Sequence, residues 1–284
     1  MEAIHTFDND FKYDNSKKYL LVLQTGSKAV TYAIFDITNK KYVGLKHIPF
    51  NSLPENQIIE FIKKSLEEDP LLSYKFSEVV FQHLSFRAML VPESLFDSKN
   101  LRAFLRFHYD VDEKDYIHFQ ELKSAEAFII FTVPVQIEDL LCSKYPQVKF
   151  SHHTIPFINS ALGSKESKDN SPSLHIYFAN NFFDIMIVRN NKIQLFNSFF
   201  YKKYTDVLFF IANILNLFSL KPDITKINIM GELDEVEQMK SELKKIFKII
   251  NFEKFNPVFN YDLKISSLEQ HRFANLLNLY PCEL

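Results

Sequence analysis

Few side chains in this sequence are spaced for chemistry, and each set has a plain structural competitor. His152 and His153 adjoin in VKFSHHT and invite a metal ion. Successive strand residues point to opposite faces, so the pair is poorly placed to chelate one ion, and a solvent or partner contact is expected instead. DVDEKD, Asp110 to Asp115, gathers four acids. It lacks the glycine and distal glutamate of a calcium loop, so a solvated turn is expected. Ser85, with His83 and His108 in its neighbourhood, has neither a glycine-flanked elbow nor an acid spaced to orient a histidine, which argues against a hydrolase nucleophile. In EVEQMKSELKKIFK the lysines Lys240, Lys244, Lys245 and Lys248 interleave with Glu235, Glu237 and Glu242. That is a solvated helix face with internal ion pairs rather than a nucleic-acid stripe. No catalytic residue and no metal ligand is assigned.

These residues must be carried by a sizeable core. The chain has 284 residues, 46% hydrophobic and 24% charged, enough for one large domain or two lobes, and two lobes are expected. A formal net charge of -2 supplies no positive field for nucleic acid or anionic membrane. The two cysteines, Cys142 and Cys282, are far apart without metal-site spacing, which fits a reduced cytoplasmic setting. MEAIHTFDNDFKYDNSKK is polar and acidic and does not read as a signal peptide. The apolar stretch Val207 to Leu220 is shorter than the roughly 18 to 20 residues of a membrane span and is broken by Asn213 and Asn216. A buried helix is expected there, and no membrane insertion. Only four glycines occur, beside 30 phenylalanines and 13 tyrosines. A glycine-rich phosphate cradle cannot be built from so few.

Extended runs at Tyr19–Thr25, Ala29–Asp36 and Lys41–Ile48, punctuated by Gly26-Ser27 and Thr38-Asn39-Lys40, read as a β-meander followed by a helix after Pro54. Short strands near Glu78–Phe81 and Phe86–Val91 and a helical patch at Leu101–Phe107 come next. AEAFIIFTVP and VKFSHHT read as strands, QIEDLLCSKYP and IPFINSALG as helices. KESKDNSPS, residues 165–173, is the clearest linker. After it SLHIYFA, FFDIMIVR and KIQLFNSFF form a second meander with a hairpin candidate at Asn190-Asn191. A long apolar helix, the strand KINIMG, an amphipathic helix, a short strand and a closing helix complete the chain. The order βββ-α thus occurs twice. The expected division is a flexible tail at 1–18, which alternatively clasps the body, a first lobe at 19–164 and a second at 174–284.

This duplicated order resembles the actin-like ATPase superfamily, whose two ribonuclease-H-like lobes clamp a nucleotide. It is most similar to the bacterial pilus-assembly and cell-division branch, on the run AFIIFTVPVQIEDLLCSKYPQVKFSHHTIPFINSALG leading into SLHIYF, and to an uncharacterised bacterial family with this fold. The resemblance implies an α/β fold of two such lobes, the first carrying an inserted α+β subdomain. It also implies where nucleotide would bind: Gln24, Gly26 and Ser27 in the first phosphate loop, Asp184 in the second, and Gly231 in the adenosine loop. The family's Asp-x-Gly has become Gln24-Thr25-Gly26, and Tyr177 and Ala179 stand where the second loop has its aspartate and glycine. A neutral amide cannot hold hydrated Mg²⁺ as a carboxylate does.

The expectation is a non-catalytic bacterial scaffold for an unknown protein partner, without a cofactor. The alternatives are an ATP-binding protein that uses Mg²⁺ in a modified site, and a peptide-binding module that works with an oligomer or a membrane-attached protein. NSFFYKKY supplies the partner-contact candidates Phe199, Phe200, Tyr201 and Tyr204, since aromatics dominate binding hot spots. The competing reading puts these rings in the core between lobes.

Overall fold

The computed structural model describes residues 3–9, 11–12, 17–26, 28–50, 53, 55–163, 171–179, 181–232 and 236–279. Ser27 and residues 164–170, most of the expected linker, lie outside them. Cys142 is exposed and unbridged, while Cys282 is outside the described residues.

The first lobe is built on β2 (Tyr19–Thr25), β3 (Ala29–Asp36) and β4 (Lys41–Pro49), then α1 (Glu55–Glu68), β5 (Glu78–His83), α3 (Val135–Lys144), β9 (Lys149–His152) and α4 (Thr154–Gly163). Its strands lie side by side in the order β4-β3-β2-β5-β9. β2, β3 and β4 are antiparallel, whereas β5 joins β2 and β9 joins β5 in parallel. YLLVLQT has no polar alternation until Gln24 because β2 is central and covered on both faces. The second lobe repeats this plan with β10 (Ser173–Phe178), β11 (Phe182–Arg189), β12 (Lys192–Phe200), α5 (Tyr204–Leu217), β13 (Lys226–Gly231), α6 (Val236–Ile246) and β14 (Ile249–Phe252), in the order β12-β11-β10-β13-β14. Both lobes therefore follow the sequence third-second-first-fourth-fifth, and the duplication expected from the pattern is present in three dimensions.

Between β5 and α3 the first lobe carries an inserted subdomain, a three-stranded antiparallel sheet of β6 (Ala88–Pro92), β8 (Ala127–Val133) and β7 (Tyr116–Leu122) with α2 (Leu101–Arg106) on it. The turn at Asn190-Asn191 is a two-residue hairpin with φ 54° and 56°, the left-handed values asparagine tolerates.

Four features that the pattern left open or missed have physical causes. β1 (Ile4–Phe7) pairs with β4, so these residues of the tail clasp the first lobe. Phe7 covers the place where a side chain at Gly44 would stand. The carboxy-terminal residues, assigned by pattern to the second lobe, partly return to the first: β15 (Asn260–Tyr261) pairs with β4, and Phe259 and Phe273 pack in the first lobe's core. α7 (Leu263–Ser266) packs on β1 and β4, and α8 (Gln270–Leu277) lies against both β13 and β3. β7 has no counterpart in the sequence reading. Finally, α5 is buried on one side only: Val207 and Ile211 are enclosed, while Phe209 is 63% and Leu217 77% exposed. No helix among the described residues is long and apolar enough to cross a membrane.

Candidate functional site

The cleft between the lobes is where the resemblance places nucleotide. It is lined by Gln24, Gly26, Lys28 and Thr31 from the first lobe, Tyr177 and Ala179 from the second, and Glu232 and Arg272 near its mouth, around a cavity of ≈ 60 Å³. Small-molecule sites ordinarily enclose about 300 to 1,000 Å³. Gln24 and Gly26 line this cavity, Asp184 and Gly231 do not, and Ser27 lies outside the described residues.

Gln24 ends β2 beside its register partner Gln82 on β5. The Gln24 Nε2 donates to Gln82 Oε1. Gln82 is fully buried, so its carbonyl oxygen is satisfied by the amide of Gln24, while Gln82 Nε2 has no hydrogen-bond partner among the described residues. Gly231 has φ +90°, and a Cβ there would lie 2.1 Å from the Phe178 carbonyl oxygen. Glycine is demanded by the closeness of β13 to β10, irrespective of any ligand.

Asp184 does not line the cavity and is fully buried. Its Oδ2 lies 2.5 Å from His153 Nε2, and its Oδ1 accepts from Ser198 Oγ at 2.5 Å. His153 belongs to the first lobe and Asp184 and Ser198 to the second, so the carboxylate ties the lobes together. Asn275 on α8 adds a donor to the His153 carbonyl at 2.7 Å. Tyr177 closes the space in front, its ring 4.9 Å from His153 and 6.0 Å from Phe157, with burial pushing its hydroxyl pKa upward.

The histidine pair corrects the expectation of a solvent or partner contact, since both side chains are fully buried. β9 ends at His152 and α4 begins at Thr154, so strand alternation stops between the two and their rings come within 4.4 Å. His152 bonds Thr154 Oγ1 at 2.9 Å and approaches Ser85 Oγ at 3.4 Å. Burial drives the His152 pKa well below the usual histidine value and that of nearby His83 to about 3, with the neighbouring His153 adding to each. No group of histidine, cysteine and carboxylate side chains among the described residues is arranged to hold a metal. Ser85 faces a histidine oriented by a hydroxyl, Thr154, rather than by an acid, which is not a nucleophile's support. In DVDEKD, Asp115 is nearly buried 3.9 Å from Arg87, and Arg102 and Arg106 pin the turn through the Asp112 and Asp115 carbonyls and Glu113. On α6, Lys240 meets Glu237 and Lys245 meets Glu242.

The four aromatic candidates separate. Phe199 stacks on Phe210 at 4.3 Å in the second lobe's core, Tyr201 donates to the Ala179 carbonyl at 2.8 Å, and Tyr204 packs half-buried on the same core. Phe200 alone is exposed, at 54%, with its ring 4.5 Å from Phe86. Asp184 as a lobe tie and Gln82 as the partner of Gln24 were invisible in the sequence, because each depends on a contact between segments distant along the chain.

The described residues do not fit a hydrated Mg²⁺ and a triphosphate. The one candidate carboxylate is occupied by His153 and Ser198, and Tyr177 and Phe273 are among the side chains that line the little volume left.

Comparison with solved structures matches this architecture. A Bacteroides thetaiotaomicron protein with actin-like ATPase fold and unknown function superposes with a TM-score of 0.78 at 19% identity, covering 91% of this chain and 98% of that one. A PilM–PilN type IV pilus biogenesis complex gives a TM-score of 0.63 at 12% identity, covering 93% and 99%. The fold is therefore that of the actin-like ATPases. No match is found among curated proteins. Residues 8–250 match the model of a family described as a protein of unknown function, DUF3822, and the chain belongs to that family.

Proposed function

We propose that this protein is a non-catalytic interaction scaffold that keeps the actin-like fold without its nucleotide chemistry. The observation that carries the reading is the ≈ 60 Å³ left in the cleft, too little for an adenine nucleotide. The engagement of Asp184 and the pairing of Gln24 with Gln82 support it, since both groups already serve the fold. One structure of similar fold is a complex with a protein partner, PilM with PilN, so a partner-binding role is compatible with this architecture.

The competing reading, an ATP-binding protein with a modified site using Gln24, Gly26, Ser27, Asp184 and Gly231, makes the opposite thermal prediction. A ligand at about 100 times its dissociation constant stabilises a protein by about 2.7 kcal/mol. The scaffold reading expects an unchanged melting temperature with millimolar ATP or ADP and Mg²⁺. A Mg²⁺-dependent rise of several degrees would overturn it.

A further inference from the structure

We propose that the edge of β12 is a docking site for one extended, uncharged segment of a partner protein, which adds a sixth strand to the second lobe's sheet beneath the inserted subdomain. The inference rests on the scaffold reading and names the kind of partner and the place.

Sheet edges are liabilities that proteins blunt with short strands, prolines and charges. Here β1, β9 and β14 are edge strands of four residues each, and β7, an edge of seven residues, carries the charge of Glu121. β6 is blunted chemically: Pro92 has no N–H, and the Ala88 carbonyl accepts from the Tyr109 hydroxyl at 3.0 Å. β12 is different. It is nine residues long, KIQLFNSFF, and its sole charge is Lys192 at one end.

The Tyr201 N–H bonds to the Asn181 carbonyl beyond the end of β12, which sets the alternation. Asn197 and Phe199 therefore exchange main-chain bonds with β11, and Phe196, Ser198 and Phe200 direct theirs outward. The Ser198 N–H is taken by Asn197 Oδ1 at 2.9 Å. The N–H groups of Phe196 and Phe200 and the carbonyls of all three face a groove of ≈ 540 Å³ whose opposite wall is β6. A second cavity of ≈ 370 Å³ continues it past Leu90 and Ile193 to the Asn190-Asn191 turn.

The form of the groove selects its occupant. Main-chain donors and acceptors in a row are matched by an extended backbone, as in strand addition. The larger cavity is lined by Phe86, Leu90, Ile193, Phe196 and Phe200, and by no aspartate, glutamate, lysine or arginine. A charged occupant would lose hydration there without a partner. Beyond the position of one added strand stands β6, so the sheet edge of a second folded copy has no room. From Ile193 to Phe200, at about 3.3 Å per residue, the edge accommodates about eight residues of the segment.

The test is selection of random dodecapeptides displayed on phage against the wild-type protein, with counter-selection on Phe200→Asp. Enriched peptides are synthesised, and their affinity is measured by fluorescence anisotropy. The expected peptides alternate apolar with small polar residues, slow amide exchange at Phe196 and Phe200 at least tenfold, and bind at least tenfold more weakly to Phe200→Asp and to Leu90→Lys. Phe200 is exposed, so its variant tests docking rather than folding. Failure to enrich any peptide, equal binding to both variants, protection of amides elsewhere, or a dimer by light scattering that already protects β12 would overturn the proposal. A protein partner that still binds the two variants would remove the groove and leave the scaffold reading standing. Mg²⁺-dependent ATP binding would remove the scaffold reading and leave the groove.

Discussion

His153 and Asp184 are the residues on which the two lobes meet, and their geometry predicts a cost for separating them. The pair is fully buried, with Asp184 also accepting from Ser198. His153→Ala leaves a buried carboxylate short of a partner, a change that costs about 3 kcal/mol. Urea unfolding should show this as a lowered midpoint, and an unchanged midpoint would mean that the lobes are held elsewhere. Gly231→Ala is expected to cost about 3 kcal/mol, combining strain at positive φ with collision on the Phe178 carbonyl. Acid should act through His83, His47 and His175. Burial lowers the pKa of His83 to about 3 and those of His47 and His175 to about 4. The unfolded chain, with ordinary histidines near 6.5, binds protons first as pH falls. Stability is thus complete above about pH 6.5 and is lost toward about pH 4, by up to about 1.4 kcal/mol per pH unit for each histidine. Equal urea midpoints at pH 8 and pH 5 would contradict this. None of these roles was legible beforehand. Asp184 looked like a remnant of a phosphate loop, and His152-His153 looked like strand residues on opposite faces, because alternation along a strand gives no warning that the strand ends between them.

Among the elements, the long apolar strands and their helices were legible because each has a strong period and clear punctuation. β2, β3 and the hairpin of β11 and β12 fall where the residues put them. β1, β7 and β15 were missed because four, seven and two residues at an edge carry too little pattern, and tertiary pairing decides their state. β1 offers a test of that dependence. It lies on β4 with Phe7 over Gly44, where a Cβ would stand 2.4 Å from the ring. Gly44→Val should displace β1 and speed amide exchange at residues 5 to 7 while β2 and β3 remain protected. Continued protection of β1 in that variant would show that the strand is held by more than this contact. The expectation that α5 is buried failed for a related reason. Hydrophobicity all around a helix suggests burial, but here one side meets the second lobe's core and leaves Phe209 and Leu217 outside.

At the scale of the molecule, the duplicated order of elements was enough to read the fold, since two equal strand orders arise from two equal βββ-α patterns. The closing of the chain was not, because the return of residues 259 to 277 to the first lobe follows from packing and leaves no periodic signal. This return, with α8 against both β13 and β3 and the His153–Asp184 tie, joins the lobes around a small cleft. A protein built in this way should hold its lobes together with or without nucleotide. The most direct test is a crystal of the full chain soaked in millimolar ATP and Mg²⁺. The account predicts side-chain density for Tyr177 and the Gln24–Gln82 pair in an unchanged cleft; density for a nucleotide between Gly26 and Gly231, with the His153–Asp184 contact parted, would contradict it.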